Sequence, residues 1–307
     1  MRVLVTGARG KVGWAAVRAL AEAGHEVVAS DVMRGEFEAP DPASPESWYT
    51  QADLTDAGQA FATVRGAEAV VHSAAIPEPT KNSAHVVFQN NLMSTFNALE
   101  AAIRFGARRF VNLSSETVPG FFFPERPAMP DYVPVDEQHP IRPQDPYATA
   151  KAFGEQLMDA AVRRSDIRCI SIRPSWVQWE GNYERNLGPL VRDPSRLTPG
   201  FWAYIDVYDL ADAIRLAVES ELPGHEVFYI ASPDNAGGRP FAEAVKQHYG
   251  DEVELRAVDR ADASGISCEK ARRMLGYDPK RSWHNYLDED GRLLAGVRWR
   301  LEAGSLD

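Results

Sequence analysis

Apolar positions along the first 175 residues alternate between two arrangements. Short β-branched runs are separated by longer stretches in which apolar residues recur at three and four. The run "RVLVT" predicts a first strand, and "VGWAAVRALAEAG" predicts a helix closed by Gly24. "HEVVAS" and "AEAVVHSAA" predict two further strands, the second leading into a long helix around "QNNLMSTFNALEAAIRFG" that ends at Gly106. "RRFVNLSS" is a strand with a polar end, a helix follows Pro146 in "DPYATAKAFGEQL", and "IRCISIRP" is the next strand. This alternation predicts an α/β fold of parallel strands joined by crossover helices.

Two stretches break the pattern. Between Pro119 and Pro146 lie eight prolines and the run "GFFFP", which cannot form a regular helix and suggest a long working loop or lid. After "SIRP" the alternation fades, then returns in "YIDVYDLADAIRLAVES" and "EVFYIAS". A first domain is therefore expected over 1–174, with 205–232 returning to it. A second, smaller lobe is expected from 175–204 and 233–307.

Composition narrows the chemistry. The chain has 307 residues, with 33 Lys plus Arg against 44 Asp plus Glu, a net charge of -11. No basic run clusters on a helix, so a phosphate backbone would be repelled and nucleic acid is not an expected partner. Two cysteines and seven scattered histidines lack metal-ligand spacing, so reduced thiols, a cytoplasmic setting and no metal are expected. No apolar run approaches the ~18 residues of a membrane span, and the apolar run in "MRVLVTGARG" is too short for a signal peptide, so none is expected.

"TGARGKVG" follows the first strand at once and opens a helix. Gly7 permits the tight turn, Gly10 lets the backbone approach a diphosphate, and Gly13 allows close packing, with the helix N-terminus aimed at the anion. Asp31, at the end of the second strand, can accept hydrogen bonds from both adenosine ribose hydroxyls and repels a 2'-phosphate, which favours NAD over NADP. Arg9 and Arg34 are close enough in sequence to soften that repulsion, and a solvated strand-end aspartate is the bland alternative.

With those motifs in hand, the chain resembles the extended short-chain dehydrogenase/reductases, also called the NAD-dependent epimerase/dehydratase family. "TGxxGxxG", "ADL" (52–54), "VHSAA" (71–75), "NNLMSTFNALEAA", "FVNLSS", "PYATAKAFGEQL", "SIRPS", "VYDLADA" and "KARRMLGYDPK" occur in the family's order and approximate spacing. The resemblance implies a Rossmann-type doubly wound parallel sheet that binds NAD, a smaller α/β C-terminal substrate lobe, and a Ser, Tyr, Lys catalytic set. It places Arg9, Lys11, Val12, Leu54, Ala75 and Ser114 among the cofactor contacts. Asp53 would lie near adenine, Ala74 beside the ribose and diphosphate, Asn91 under the active site and Pro174 near the nicotinamide amide. A homodimer through the two long helices is implied as well.

The pair Tyr147 and Lys151 then acquires a chemical meaning. Removing hydride from an alcohol requires a base for its proton, and a phenol of ordinary pKa ~10 is too weak unless its anion is stabilised. Lys151, one turn along, and oxidised nicotinamide each bring positive charge; lowering the phenol to near 7 corresponds to ~4 kcal/mol. Both residues would also touch the cofactor. Ser115 matches the family's catalytic Ser/Thr and would hydrogen-bond the reacting oxygen.

Departures from the family narrow the reaction. Its dehydratases follow the Ser/Thr with an acid and a glutamate, whereas this chain has Glu116 and Thr117, so the second carboxylate is missing. The nucleotide-gripping arginines are half supported, by Arg260 alone. "SSETVPGFFFP" followed by "EGNYERNL" is similar to the uronate dehydrogenase branch, in which Arg185 would meet a substrate carboxylate; a surface arginine paired with Glu184 or Glu180 is its plain alternative. Trp176, Trp179 and Trp202 suit an apolar sugar face. The expected function is NAD-dependent oxidation of a secondary or anomeric hydroxyl of a small-molecule sugar or sugar acid. A nucleotide-sugar epimerase is the alternative, and a non-catalytic NAD-sensing protein the alternative of a different class.

Overall fold

The structure, a computed structural model, describes residues 1–33, 47–193 and 195–297; Arg34 lies outside them. In chain order the first half contains β1 (Arg2–Thr6), α1 (Lys11–Glu22), β2 (Glu26–Asp31), β3 (Ser47–Gln51), α2 (Ala57–Val64), β4 (Ala69–His72), α3 (Ala84–Arg104) and β5 (Arg109–Leu113). The second half contains β6 (Tyr132–Val133), α4 (Pro146–Arg164), β7 (Arg168–Pro174), β8 (Val177–Gln178), α5 (Tyr183–Asn186), α6 (Gly188–Arg192) and β9 (Ile205–Asp206). It continues with α7 (Val207–Glu219), β10 (His225–Ile230), α8 (Phe241–Tyr249), β11 (Glu254–Leu255) and α9 (Glu269–Leu275).

Seven strands form one parallel sheet in the order β10-β7-β5-β4-β1-β2-β3. The order reverses between β1 and β4, and ligands of open α/β sheets bind in the crevice beyond the strand ends at such a point. The central strands are covered on both faces, which explains their continuous apolar runs; β4 and β5 are buried throughout. One face packs on α1 and α7, the other on α2, α3 and α4. Sequence periodicity had not identified β3 or α2, since "SWYTQ" and "AGQAFATV" are short and weakly patterned. No helix among the described residues is long and apolar enough to cross a membrane.

The α4 helix follows from local chemistry. The Asp145 carboxylate accepts the Ala148 N–H at 2.9 Å and Pro146 occupies the first turn. Its buried face then carries Tyr147, Lys151 and Glu155, three polar residues four apart.

The proline-rich stretch is not a free lid. β6 pairs with β11, Val135 N–H donates to Gly265 O, and Arg142 forks onto Asp131 at 2.6 and 2.9 Å. Phe121 and Phe122 are buried in an aromatic cluster with Tyr183, Phe201, Trp202 and Phe241. Glu137 accepts the Tyr229 N–H of β10 at 2.7 Å, and Lys270 Nζ donates to Val227 O of the same strand at 2.9 Å. Prolines here fix an extended path across the lobe.

Candidate active site

The phosphate loop is shaped by contact with the segment after β4. Gly7 has φ 66°, and a Cβ there would lie 2.6 Å from Ala74 N; a Cβ on Gly13 would lie 2.1 Å from Gly7 O. Both positions exclude a side chain, so α1 can start directly against the loop. Asp31 accepts the Arg9 and Met33 N–H groups at 3.0 and 3.2 Å, holding the loop to the end of β2. Gly10, the N-cap of α1, provides no side-chain cap, and the Arg9 Nε is buried without a partner. A helix start with open N–H groups beside an unsatisfied guanidinium nitrogen fits a dinucleotide diphosphate. Asp53 accepts from both the N–H and the hydroxyl of Thr55, and Leu54 is buried with its carbonyl on Asn97. Val12 packs inward against the core.

A one-way chain of hydrogen bonds fixes the floor of this cleft. Thr95 donates to Asn91 O at 2.8 Å, so its oxygen accepts from His72 Nε2 at 3.1 Å; His72 Nδ1 therefore accepts from the Thr6 hydroxyl at 2.9 Å. The Thr6 oxygen in turn meets the Ala74 N–H at 3.4 Å. Burial drives the His72 pKa down to about 3, which keeps the ring neutral and this pattern intact. Asn91 clamps Ile76 through both backbone groups, at 2.8 and 2.9 Å, and so positions Ala74 and Ala75.

Ser115, Tyr147 and Lys151 meet at the C-terminal end of β5. All three are buried. Lys151 Nζ donates to Leu113 O at 2.5 Å and lies 5.7 Å from the Tyr147 ring centroid. Desolvation lowers the Lys151 ammonium to about 8, opposed by the Glu155 carboxylate. Desolvation pushes the Tyr147 phenol up to about 12, with a Ser115 hydrogen bond opposing it and Glu116 and Asp145 adding to it. In the protein alone, burial outweighs the help expected from Lys151. Ser115 Oγ accepts both the Thr117 N–H at 3.2 Å and the Thr117 hydroxyl at 3.0 Å. With both lone pairs engaged, its own proton is the one that reaches the Tyr147 phenol oxygen.

Behind this set lies a buried ion pair that sequence reasoning did not find. Arg173 forks onto Glu155 at 2.8 and 2.7 Å, and Ser114 donates to the same carboxylate at 2.6 Å. The Ser114 hydroxyl is thus turned inward. A charged residue inside the buried strand β7 was the available signal, since such a group requires a partner.

The residues expected around the substrate are spread more widely. Glu116 is buried, its Oε2 has no partner, and burial raises its pKa well above the ordinary range, with a Ser175 hydrogen bond opposing. Trp176 is exposed beside Pro174 at the end of β7. Trp202 is 1% exposed, with Nε1 on Arg196 O, and cannot present a face to a sugar. Arg260 is forked onto Asp262 at 2.6 and 2.9 Å. Arg185 is exposed on α5, hydrogen-bonded to Asn186 at 3.3 Å, and neither Glu184 nor Glu180 pairs with it.

The comparisons agree with this arrangement. Residues 3–191 match the NAD dependent epimerase/dehydratase family. A UDP-glucose 4-epimerase of Streptomyces lividans is 28% identical, covering 92% of each chain. An L-arabinose 1-dehydrogenase (NAD(P)(+)) of Haloferax volcanii is 28% identical over 72% of this chain and 84% of its own. In fold, a short-chain dehydrogenase/reductase superfamily protein from Agrobacterium tumefaciens, solved with bound NAD, aligns with a TM-score of 0.71 at 23% identity, covering 92% and 94% of the two chains. The chain belongs to the NAD dependent epimerase/dehydratase family, is an enzyme acting on sugars, and has NAD as its cofactor.

Proposed function

We propose that the protein removes hydride from a secondary or anomeric hydroxyl of a free sugar or sugar acid, with Tyr147 as base, Lys151 as its electrostatic partner and Ser115 as positioning donor. The observation that carries this reading is the convergence of the three on the end of β5, with Lys151 anchored on Leu113 O. When bound, NAD would supply the hydride acceptor and a positive charge that favours the Tyr147 phenolate. Lys151 keeps its remaining N–H groups for the cofactor ribose. When substrate binds, the Ser115 proton, kept for donation because Thr117 fills both lone pairs, turns from the phenol to the reacting oxygen while Tyr147 takes the hydroxyl proton.

Two features favour a free sugar. Arg260 is already occupied by Asp262 and is not poised for a nucleotide diphosphate. Thr117 has no carboxylate with which to take an α-proton, so dehydration lacks its second acid/base group. A second reading, a nucleotide-sugar 4-epimerase that returns the hydride, draws on the UDP-glucose 4-epimerases that align over more than nine-tenths of the chain. A homodimer fits the apolar side chains that α3 and α4 leave exposed, Val86, Met93, Phe96 and Phe153. The free cysteines suit a reducing cytoplasm.

A panel of free sugars, sugar acids and UDP-hexoses, followed by NADH absorbance and product analysis, decides between the two readings. NADH formed from a free sugar, with turnover falling at least ~100-fold in Tyr147→Phe, is the expected result. Interconversion of UDP-hexoses with no NADH from any free sugar would establish the epimerase instead.

A further inference from the structure

Glu116 follows Ser115 directly, and hydride removal by Tyr147 leaves it without a task. Its N–H donates to Pro174 O at 3.2 Å, which holds the residue over the end of β7. The side chain is buried, and Oε2 alone of its two oxygens is sealed from solvent with no partner. A Cβ on Gly200, in the turn before β9, would lie 3.6 Å from that oxygen and 3.0 Å from the Phe122 ring. A bare glycine beside an aromatic ring therefore closes over the carboxyl, and neither brings a charge.

No cation pairs with Glu116 among the described residues, and the hydroxyl that bears on it, that of Ser175, is neutral. An isolated carboxylate in such a place costs more than holding a proton, so the group is the uncharged acid. An uncharged carboxyl both donates and accepts a hydrogen bond, as a hydroxyl does, and the two groups match each other. The Ser115 hydroxyl, one residue earlier, serves the reacting oxygen. Adjacent residues of the chain then meet adjacent oxygens of a sugar ring.

We propose that Glu116 is a specificity-determining residue that grips, through its carboxyl proton, a hydroxyl on the carbon beside the one oxidised, so that the substrate must carry a vicinal pair of hydroxyls. This deepens the reading above, on which it rests for the place of the reacting oxygen at Ser115. It applies to a free sugar and to a nucleotide sugar alike. No proton leaves Glu116, which acts by selection and not as an acid or base.

The test compares kcat/KM for the best sugar substrate with that for its monodeoxy derivatives, in the unaltered protein, Glu116→Gln and Glu116→Met. In the unaltered protein, removal of one hydroxyl beside the oxidised carbon should cost about tenfold or more, because the buried acid is left unpaired. Glu116→Gln, which keeps a donor and an acceptor, should retain that penalty. Glu116→Met, of similar length but unable to hydrogen-bond, should turn over the full sugar more slowly and shrink the penalty to about threefold or less. A second readout is independent of turnover: the infrared difference between the unaltered protein and Glu116→Gln near neutral pH should contain the C=O band of a protonated carboxyl. An equal deoxy penalty in the unaltered protein and Glu116→Met, or a missing band, would overturn the proposal. Near-normal turnover in Tyr147→Phe would instead remove the catalytic reading on which it rests, a result distinct from either.

Discussion

The end of the large sheet around Tyr147 and the aromatic cluster around Trp202 both bury polar groups, but they satisfy them differently. Behind Tyr147 the buried groups are full charges: Glu155 with Arg173, and Lys151 on a backbone carbonyl. In the second cluster neutral hydroxyls and ring N–H groups are the donors, to buried carboxylates as well as to a backbone carbonyl. Tyr183 donates to Asp206 at 2.9 Å, Tyr204 to Asp234 at 3.0 Å, and Trp283 Nε1 to Asn235 O at 3.1 Å. Around them pack Phe201, Trp202, Phe241 and Tyr286. A charged network is costly to break and sensitive to pH. An aromatic one gains from area and geometry, and loses one hydrogen bond at a time.

The sharpest test of that contrast is Glu155→Ala, which strands the Arg173 guanidinium, 3% exposed, in the sheet. It should cost about 3–5 kcal/mol of unfolding free energy by urea denaturation. A loss no greater than that of a lobe tyrosine would collapse the distinction.

Next in size is a pH effect. Lys151 titrates near 8 when folded against an ordinary 10.5. Below pH 8 both states carry the proton and the desolvation penalty is complete. Between about 8 and 10.5 the unfolded chain holds more protons, so the stability of the unaltered protein should rise relative to Lys151→Met, by up to about 3 kcal/mol. Denaturation curves for both proteins across that range check the sign; a flat difference refutes it.

Smaller still, Tyr204→Phe removes the donor to Asp234 and the acceptor of the Trp283 N–H, found at 2.8 Å. About 1–3 kcal/mol is expected by urea denaturation. The least effect on the fold is expected from Thr117→Val, which keeps its backbone bond to Ser115 and loses the hydroxyl bond. Its kcat should fall about tenfold, equivalent to ~1.4 kcal/mol, at unchanged KM, and Thr117→Ser should restore it. A change in KM alone would show that Thr117 contacts substrate instead.

How much of this was legible beforehand divides along the same line. Gly7, Gly13 and Asp31 act through backbone geometry within about 30 residues of one another, so spacing alone exposes them. Tyr147 and Lys151 share one helical turn and are legible for the same reason. Glu155 and Arg173 sit on different elements, and only the fold brings them together. Thr117 stood out as the place of the missing dehydratase glutamate and was expected near the substrate; its hold on Ser115 was hidden because it depends on the path of the chain after β5. In the lobe, the aromatic residues gave no period to follow. Trp202 looked like a sugar platform for that reason, although its ring is enclosed.

One of the two outer strands of the large sheet, β10, has a consequence for solubility. β10 has only β7 beside it, and an open strand edge is a template on which a second chain can add. Two charged side chains occupy that template: Glu137 takes the Tyr229 N–H and Lys270 takes the Val227 carbonyl. Glu137 lies 92 residues before the group it covers, so in a chain folding from its beginning this cover is present before the edge it must shield. Lys270 comes 43 residues after its carbonyl and arrives last. A chain cut between Ile230 and Lys270 would display half an edge, the Val227 acceptor exposed and the Tyr229 donor hidden, and strand-by-strand polymerisation would find only one of these two hydrogen bonds on offer.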